Sequence, residues 1–255
     1  MKLLNRGATS MVLTPAGNDL LLRAERTLEA FGEFLECARS QRGQVGGQLE
    51  LGVVMFDPVD IRLGALVREI TDRFPGIKLN LQVGRNSSFK ENVITGRLDG
   101  AIALSRGYDP RVAETLLQTV KFSVVAPRRW SLPEGEALLP ALATLPWIRT
   151  RVGSPHNEMV TEILSARGIK PIETVEADHE AVIQALVVAG IGIGLLREEL
   201  AHKEAQAGNV VVLDDLFATG RLAFVHAADR SGDRALAAIK ECLAAVWVDK
   251  AGAEG

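Results

Sequence analysis

The sequence predicts an α/β protein with two lobes, preceded by a long helix that pairs two subunits. Apolar residues recur in a heptad pattern between residues 14 and 42, as they do in helices that pair with each other. Strand-like and helix-like segments then alternate from residue 49 to residue 248. They fall into two successive sets, and such alternation predicts parallel sheets covered by helices. We therefore expect two lobes with a cleft between them.

The long helix is predicted from its ends and from its apolar seam. Thr14 is a good N-cap, Pro15 suits the first helical position, and Gly43, Gly46 and Gly47 would end the helix. Between these ends, apolar residues are spaced alternately 3 and 4 positions apart, as in the seam of a coiled coil. We expect this seam to join two subunits, and the alternative is a helix packed on its own domain. The seam residues are Leu21, Ala24, Leu28, Phe31, Leu35 and Ala38.

Composition narrows the class of protein. The chain has 255 residues, 47% of them hydrophobic and 24% charged, with a net charge of -3, so it is not a polyanion binder as a whole. Cys37 and Cys242 lie far apart in the sequence. The sequence has no C-x-x-C motif and no Cys/His cluster, so it does not predict a metal site. The N-terminus has no apolar signal-peptide core, and the near-apolar run at 181–196 is too short and interrupted to span a bilayer. We expect a cytoplasmic protein with no membrane contact, no metal and no cofactor.

The coarse element map follows from apolar periodicity and turn residues. Residues 1–13 look like a short hairpin. In the first set we predict strands at 49–54, 77–83, 101–104 and 116–126 and helices at 57–74 and 87–95. In the second set we predict strands at 146–150, 173–177, 191–195, 210–213 and 221–226 and helices at 134–143, 155–167, 179–189 and 197–204. A last helix, capped by Asp229 or Asp233, runs to Val248. Because Ile77, Leu79, Leu81 and Val83 alternate strictly, we expect one fully buried face on that strand.

Several of these segments, taken in order, resemble the LysR-type transcriptional regulators. Leu3-Leu4, Arg6 and the run Leu13 to Gly17 are similar to the wing and linker helix of that family. Similarity to its effector domain is carried by Leu51-Gly52, Phe74-Pro75-Gly76-Ile77, GRLDGAI at 96–102 and VVAGIGIGLL at 187–196. The resemblance covers residues 3 to 248, and the order and spacing of the segments make it specific.

The resemblance implies a periplasmic-binding-protein-like (type 2) effector domain behind a dimerisation helix. It also implies a small-molecule effector in the cleft, a homodimer or tetramer, DNA as partner of the full-length form, and no enzymatic activity. The implied segments are a remnant wing at 1–13, a linker helix at 14–42, a hinge at 43–48, lobe I at 49–122 and 226–248, lobe II at 123–225 and a tail at 249–255. A solute-binding protein or an enzyme on the same two-lobed scaffold is the rival interpretation. The seam of the long helix argues against it.

The family normally begins with a helix-turn-helix whose second helix enters the DNA major groove. The present sequence starts after that helix, so we expect this polypeptide to bind DNA weakly and without sequence preference. Lys2 and Arg6 could contact phosphate as a wing does, or could form a solvated basic end. A further alternative is a dominant-negative partner that forms inactive heterodimers with a full-length regulator.

Motifs of enzymes are weak in this sequence. The glycines at 190, 192 and 194 follow a helix and precede a strand, the reverse of the dinucleotide-binding order, so they predict a helix stop and close packing. Asp178-His179-Glu180 could form a catalytic cluster, but acids are also expected at the start of a helix. No serine lies in a G-x-S-x-G elbow and no histidine pair has metal-ligand spacing. We predict no catalytic residue.

The effector site is predicted at strand ends that face helix N-termini, between the lobes. The segment Arg149 to Pro155 leads from a strand into a helix, and it is either an anion cradle or an exposed basic loop. Arg151 would hold an anionic group, Asp57 would favour a donor at the opposite end, and Phe56 would form an apolar wall. We expect a small carboxylate that also carries a hydroxyl or amino group. The predicted site residues are Phe56, Asp57, Arg85, Asn86, Ser105, Thr150, Arg151, Ser154 and His179.

Overall fold

A computed structural model describes residues 2–6, 11–21, 23–24, 27, 31, 45–57, 59–105 and 109–247. Strands and helices are numbered in chain order. The strands are β1 (Leu4–Arg6), β2 (Met11–Leu13), β3 (Gly46–Val54), β4 (Gly76–Gly84), β5 (Gly100–Ser105), β6 (Val112–Pro127), β7 (Pro146–Arg149), β8 (Ile172–Glu176), β9 (Gly194–Arg197) and β10 (Val210–Ala227). The helices are α1 (from residue 15), α2 (Leu63–Arg73), α3 (Asn86–Ile94), α4 (Leu138–Thr144), α5 (Pro155–Ser165), α6 (Glu180–Val188), α7 (Glu198–Gln206) and α8 (Arg234–Trp247).

The N-terminal hairpin holds the start of α1. β1 and β2 pair antiparallel, and the Thr14 hydroxyl accepts the N–H of Gly17 at 3.0 Å, which confirms the predicted N-cap. The same hydroxyl donates to the Lys2 carbonyl at 2.8 Å. A Cβ on Gly17 would lie 2.2 Å from the Leu3 carbonyl oxygen, so only glycine allows this close approach of helix and hairpin.

Only part of the predicted seam lies within the described residues. Residues 15–21, 23–24, 27 and 31 are helical. Leu21, Ala24 and Phe31 are exposed in this single chain, with Phe31 58% accessible. The remaining seam residues Leu28, Leu35 and Ala38 lie outside the described residues, as does the predicted helix end. The dimerisation helix therefore stays a prediction.

The lobes share one mixed sheet. Its strand order is β4-β3-β5-β10-β6-β9, and β7 pairs with β8 in a second, two-stranded sheet. β3 is parallel to β4 and β5, and β7 is parallel to β8, as predicted. β10 is antiparallel to both β5 and β6, and β6 is antiparallel to β9. The α/β class is confirmed, and the predicted parallel pairing holds for β3, β4 and β5 and for β7 with β8, but not for β6, β9 and β10. The chain leaves lobe I on β6 and returns on β10, and two neighbouring strands that run in opposite directions must pair antiparallel.

The long strand β10 replaces two predicted strands. It pairs with β6 along its length, with a register shift between Leu213 and Phe217 where the sequence predicted a break. Residues 221–225 also pair with β5, so we propose to assign them to lobe I.

Among the described residues, no helix combines the length and the hydropathy that a bilayer crossing requires.

Two predictions in the first lobe are wrong. α2 begins at Leu63 rather than at residue 57, because residues 59–62 form turns and Arg62 is left-handed, with φ of 50°. The face of β4 that was expected to be buried exposes Leu81 and Val83, with 37% and 64% of their surface accessible. β4 is the edge strand of the sheet, so the side chains on its apolar face have a neighbouring strand on one side only.

Several element boundaries also differ from prediction. β3 begins at Gly46, inside the predicted hinge, and β9 begins at Gly194 rather than at residue 191. α3 has Arg85 as its N-cap residue instead of Ser87 or Ser88. The cap of α8 is Asp233, whose carboxylate accepts the N–H of Ala235 at 2.8 Å.

Candidate functional site

A cavity of about 100 Å³ lies between the lobes. Lobe I contributes the ends of β3, β4 and β5 and the start of α3. Lobe II contributes the segment after β7 and the starts of α5 and α6. This is the predicted position, at strand ends that face helix N-termini. We refer to it as the interlobe cavity.

Seven of the nine predicted site residues line the interlobe cavity. They are Phe56, Arg85, Asn86, Thr150, Arg151, Ser154 and His179. Asp57 and Ser105 are not among the lining residues. Asp57 is exposed, and its carboxylate accepts the N–H of Val59 at 2.9 Å within the turn after β3. The buried Ser105 hydroxyl instead donates to the carboxylate of Glu114.

A neighbouring cavity of about 250 Å³ contains Ser105 and shares Asn86, Leu104 and Pro155 with the interlobe cavity. In this cavity Lys90 lies 2.7 Å from the carboxylate of Asp109, and the carboxylate of Glu114 accepts the hydroxyl of Ser105.

The wall of lobe II is a chain of hydrogen bonds. The Ser154 hydroxyl accepts the N–H of Asn157 at 3.1 Å, which caps α5, and lies 2.7 Å from the Thr150 hydroxyl. The Thr150 hydroxyl lies 3.4 Å from Nδ1 of His156. Nε2 of His156 lies 2.9 Å from the Leu195 carbonyl, which can only accept, so Nε2 carries the proton and Nδ1 accepts. Burial lowers the pKa of His156 to about 4, so this wall is neutral at pH 7.

The two arginines of the predicted cradle separate. Arg151 lines the cavity, whereas Arg149 is buried and donates to Thr161 at 2.7 Å and to the Asn157 side chain at 3.2 Å. The Asn157 amide in turn donates to the Thr150 carbonyl at 2.6 Å. Burial lowers the pKa of Arg149, and its Nε is a buried atom without a hydrogen-bond partner among the described residues. Arg149 therefore does not face the cavity, and it supports the predicted anion cradle through its hydrogen bond to Asn157.

An ion-pair network around the buried Arg197 lies beside the cavity. Nε of Arg197 lies 2.7 Å from the carboxylate of Glu180, and its Nη1 lies 2.6 Å from that of Asp60. Glu180 also accepts the backbone N–H of Arg197 at 2.7 Å, and the Phe56 ring lies 4.6 Å from the Arg197 guanidinium. Asp60 and Phe56 belong to lobe I and the other two residues to lobe II. We call Asp60, Glu180 and Arg197 the interlobe clasp.

A second ion pair crosses the cavity nearer the solvent. Nε of Arg85 lies 3.0 Å from the carboxylate of Asp178, and both residues line the cavity. The sequence predicted Arg85 but left Asp178 and Glu180 as acids at a helix start. Their roles depend on which residues of the other lobe they meet, and the sequence gives no signal of that. His156 was missed for a similar reason, although its place in the first turn of α5 is a usable signal.

Three helices begin at the cavity. α5 is capped by Ser154, and the N–H of Ala181 in α6 donates to Nδ1 of His179 at 3.1 Å. α3 has no side-chain cap. Helix N-termini carry partial positive charge, and together with Arg85 and Arg151 they favour an anionic group. Among the described residues, no group of three or more His, Cys, Asp or Glu could hold a metal ion.

Comparison with known proteins gives one consistent picture. The model of the LysR substrate binding domain family matches residues 42–248. The HTH-type transcriptional regulator YofA of Bacillus velezensis is 26% identical over 227 residues, which span 88% of this chain and 75% of YofA. The HTH-type transcriptional regulator CysL of Bacillus subtilis is 23% identical over 235 residues, 88% of this chain and 76% of CysL.

Solved structures agree with these relatives. A cysteine-to-serine mutant of Corynebacterium glutamicum OxyR, in its H2O2-bound form, has a TM-score of 0.65 at 20% identity, covering 96% of this chain and 78% of OxyR. The effector binding domain of QuiR in complex with shikimate has a TM-score of 0.65 at 17% identity, covering 79% of this chain and 97% of that domain. At these identities the likeness establishes the fold.

Proposed function

The chain belongs to the LysR family of transcriptional regulators, and on that premise we propose that its interlobe cavity binds a small anionic effector. The predicted fold, a periplasmic-binding-protein-like (type 2) effector domain, is confirmed by the family match and the structural neighbours. The family is regulatory, and we propose that this chain acts as a cytoplasmic sensor rather than as a catalyst. A small molecule that favours one arrangement of the lobes would shift the population of regulator states.

The convergence of three helix N-termini with Arg85 and Arg151 on one small cavity carries this proposal. The QuiR domain, which has a similar fold, is in complex with shikimate, a hydroxylated carboxylate. We propose the same chemical class for this chain, a small carboxylate with a hydroxyl or amino group. The hydroxyl or amino group would meet Thr150 and Ser154, since Asp57 lies outside the cavity, and Phe56 would supply the apolar wall.

The test begins with thermal-shift screening of metabolites against the parent chain, followed by calorimetry on the compounds that bind. Arg151→Ala should weaken binding of a carboxylate by about tenfold or more, because a hydrogen bond to a charged group contributes roughly 1.5–3 kcal/mol. Arg68→Ala removes an exposed arginine from α2, away from the cavity, and serves as the matched control. Equal affinity of the parent and Arg151→Ala for a confirmed ligand would contradict the proposed site.

We also propose that α1 pairs two subunits through its seam, in a homodimer or a tetramer, and that the full-length form binds DNA. The seam pattern and the exposure of Leu21 and Phe31 in the single chain support the pairing. The regulators YofA and CysL support the DNA partner by name.

A further inference from the structure

The ion pair between Arg85 and Asp178 bridges the lobes at the rim of the interlobe cavity. Arg85 directly follows β4 and precedes α3 in lobe I. Asp178 lies between β8 and α6 in lobe II. The Nε–Oδ2 distance is 3.0 Å, and both side chains line the cavity. The carboxylate of one lobe therefore neutralises the cation that the other lobe presents to a ligand.

This ion pair is open to solvent, whereas the pair of Glu180 and Arg197 in the interlobe clasp is buried. The side chains of Arg85 and Asp178 are 58% and 42% exposed, and within the described part of the chain each is the other's only ion-pair partner. Exposed ion pairs of this kind add little to stability because water screens both charges. Glu180, by contrast, is 9% exposed and binds Arg197 with both carboxylate oxygens. Among the acids that line the cavity, Asp178 is the one that a ligand can displace at low cost.

The carboxylate of Asp178 occupies the place that suits an anionic ligand. α3 starts at Arg85 without a side-chain cap, so its first N–H groups add to the positive potential of the guanidinium. A ligand carboxylate or phosphate would make the same charge-assisted contacts with Arg85 that Asp178 makes. We propose that Asp178 is a built-in counter-ion, which an anionic effector must displace from Arg85 in order to bind. This proposal rests on the proposed function of the cavity.

Two consequences follow for selectivity. A neutral ligand leaves the pair of Arg85 and Asp178 intact, whereas an anionic ligand exchanges one lobe-to-lobe contact for contacts with itself. Asp178 therefore lowers the affinity of the cavity for anions, because an anion must first break the ion pair. It also couples anion binding to the contact between the lobes. The residue limits affinity instead of supplying it, so its removal should improve anion binding.

Inorganic phosphate is a suitable probe, because it tests Arg85 whichever molecule the natural effector is. Phosphate is titrated into the full chain and into Asp178→Asn at constant ionic strength, and binding is followed by calorimetry and by thermal shift. We expect Asp178→Asn to bind phosphate at least about threefold more tightly than the parent, with a smaller difference at high salt. Glu241→Gln removes the same charge from an exposed ion pair with Arg73, outside the cavity, and should behave like the parent.

Arg85→Ala combined with Asp178→Asn identifies the binding group, because the gain should disappear with the guanidinium. Three results would each contradict the proposed counter-ion role of Asp178. They are phosphate binding by Asp178→Asn that is equal to or weaker than that of the parent, no phosphate binding by Asp178→Asn at all, and a gain that survives Arg85→Ala. These outcomes do not depend on the metabolite screen with Arg151→Ala. If that screen yields a ligand that needs Arg151 while Asp178→Asn binds anions no better, the sensor function stands and the counter-ion role alone is wrong.

Discussion

At the scale of single residues, His156 shows how burial decides the chemistry of the cavity wall. A histidine beside a predicted anion site would be expected to supply positive charge. Here its half-buried ring packs edge-on against Phe122, with ring centroids 6.1 Å apart, and its Nε2–H donates a hydrogen bond to the Leu195 carbonyl. Desolvation by burial is the largest cause of its lowered pKa, and Arg149 acts in the same direction. The residue therefore orients the Thr150 hydroxyl as a neutral acceptor.

This burial predicts a specific dependence of stability on pH. The pKa of His156 is lowered from 6.5 to about 4, so between these values the unfolded chain binds a proton that the folded chain does not. The stabilisation is fully present above pH 6.5 and is lost as the pH falls toward 4, by up to about 3 kcal/mol. Denaturant unfolding of the parent and of His156→Gln at pH 7.5, 6 and 5 measures it. The parent should lose more stability than His156→Gln, and His202→Gln, at an exposed position, should follow the parent. Equal losses of stability in the parent and in His156→Gln would show that His156 does not cause this dependence on pH.

At the scale of elements, the site could be predicted where one element alone determines it. Ser154 and His179 were predicted because each lies at the start of a predicted helix, and the structure shows that both cap their helices. Arg197 and Asp60 could not be found in this way. They contribute through a contact between β9 and the turn after β3, separated by 137 positions in sequence. Apolar periodicity reports what a segment buries, and it does not report which segment it meets.

The interlobe clasp should be the costliest polar contact to break. Arg197→Met removes the partner of the buried Glu180, and an unpaired buried charge typically costs about 3–5 kcal/mol. Asp60→Asn removes a carboxylate that is 40% exposed, so its cost should be about 1 kcal/mol or less. Urea unfolding of both variants gives the two free energies of unfolding. A loss below about 1 kcal/mol for Arg197→Met would mean that Glu180 is solvated or takes up a proton instead.

Rescue by a second substitution separates an unpaired charge from lost packing. In Arg197→Met, Glu180→Gln should recover part of the lost stability, because the amide does not need a cation. No recovery would assign the loss to packing of the Arg197 side chain against Phe56.

At the scale of the whole molecule, the two-lobed α/β class was predictable because the alternation of strand-like and helix-like segments is visible in the sequence. The passages between the lobes were predicted in the extended segments at 116–126 and 221–226, but the continuity of β10 was not, because Asp214 and Asp215 at the register shift look like the end of a strand. The exposure of Leu81 and Val83 on β4 was also not predictable, because it too depends on which elements the strand meets. An alternating strand predicts that one face is apolar, but not whether that face is covered within the chain or left at a sheet edge.

Self-association through α1 is the last prediction, and it belongs to the whole assembly. Phe31 is 58% exposed in the single chain, so Phe31→Asp should leave the fold intact while placing a charge in the seam. Burying one such side chain contributes roughly 1.5–3 kcal/mol, so the variant should dissociate at micromolar concentration. Arg23→Asp changes an exposed position of the same helix that is not part of the seam, and it is the matched control. Sedimentation velocity distinguishes the outcomes. If Phe31→Asp and a second seam variant, Leu28→Asp, both sediment like the parent while Arg23→Asp does too, then α1 does not join the subunits and the assembly must use the lobes.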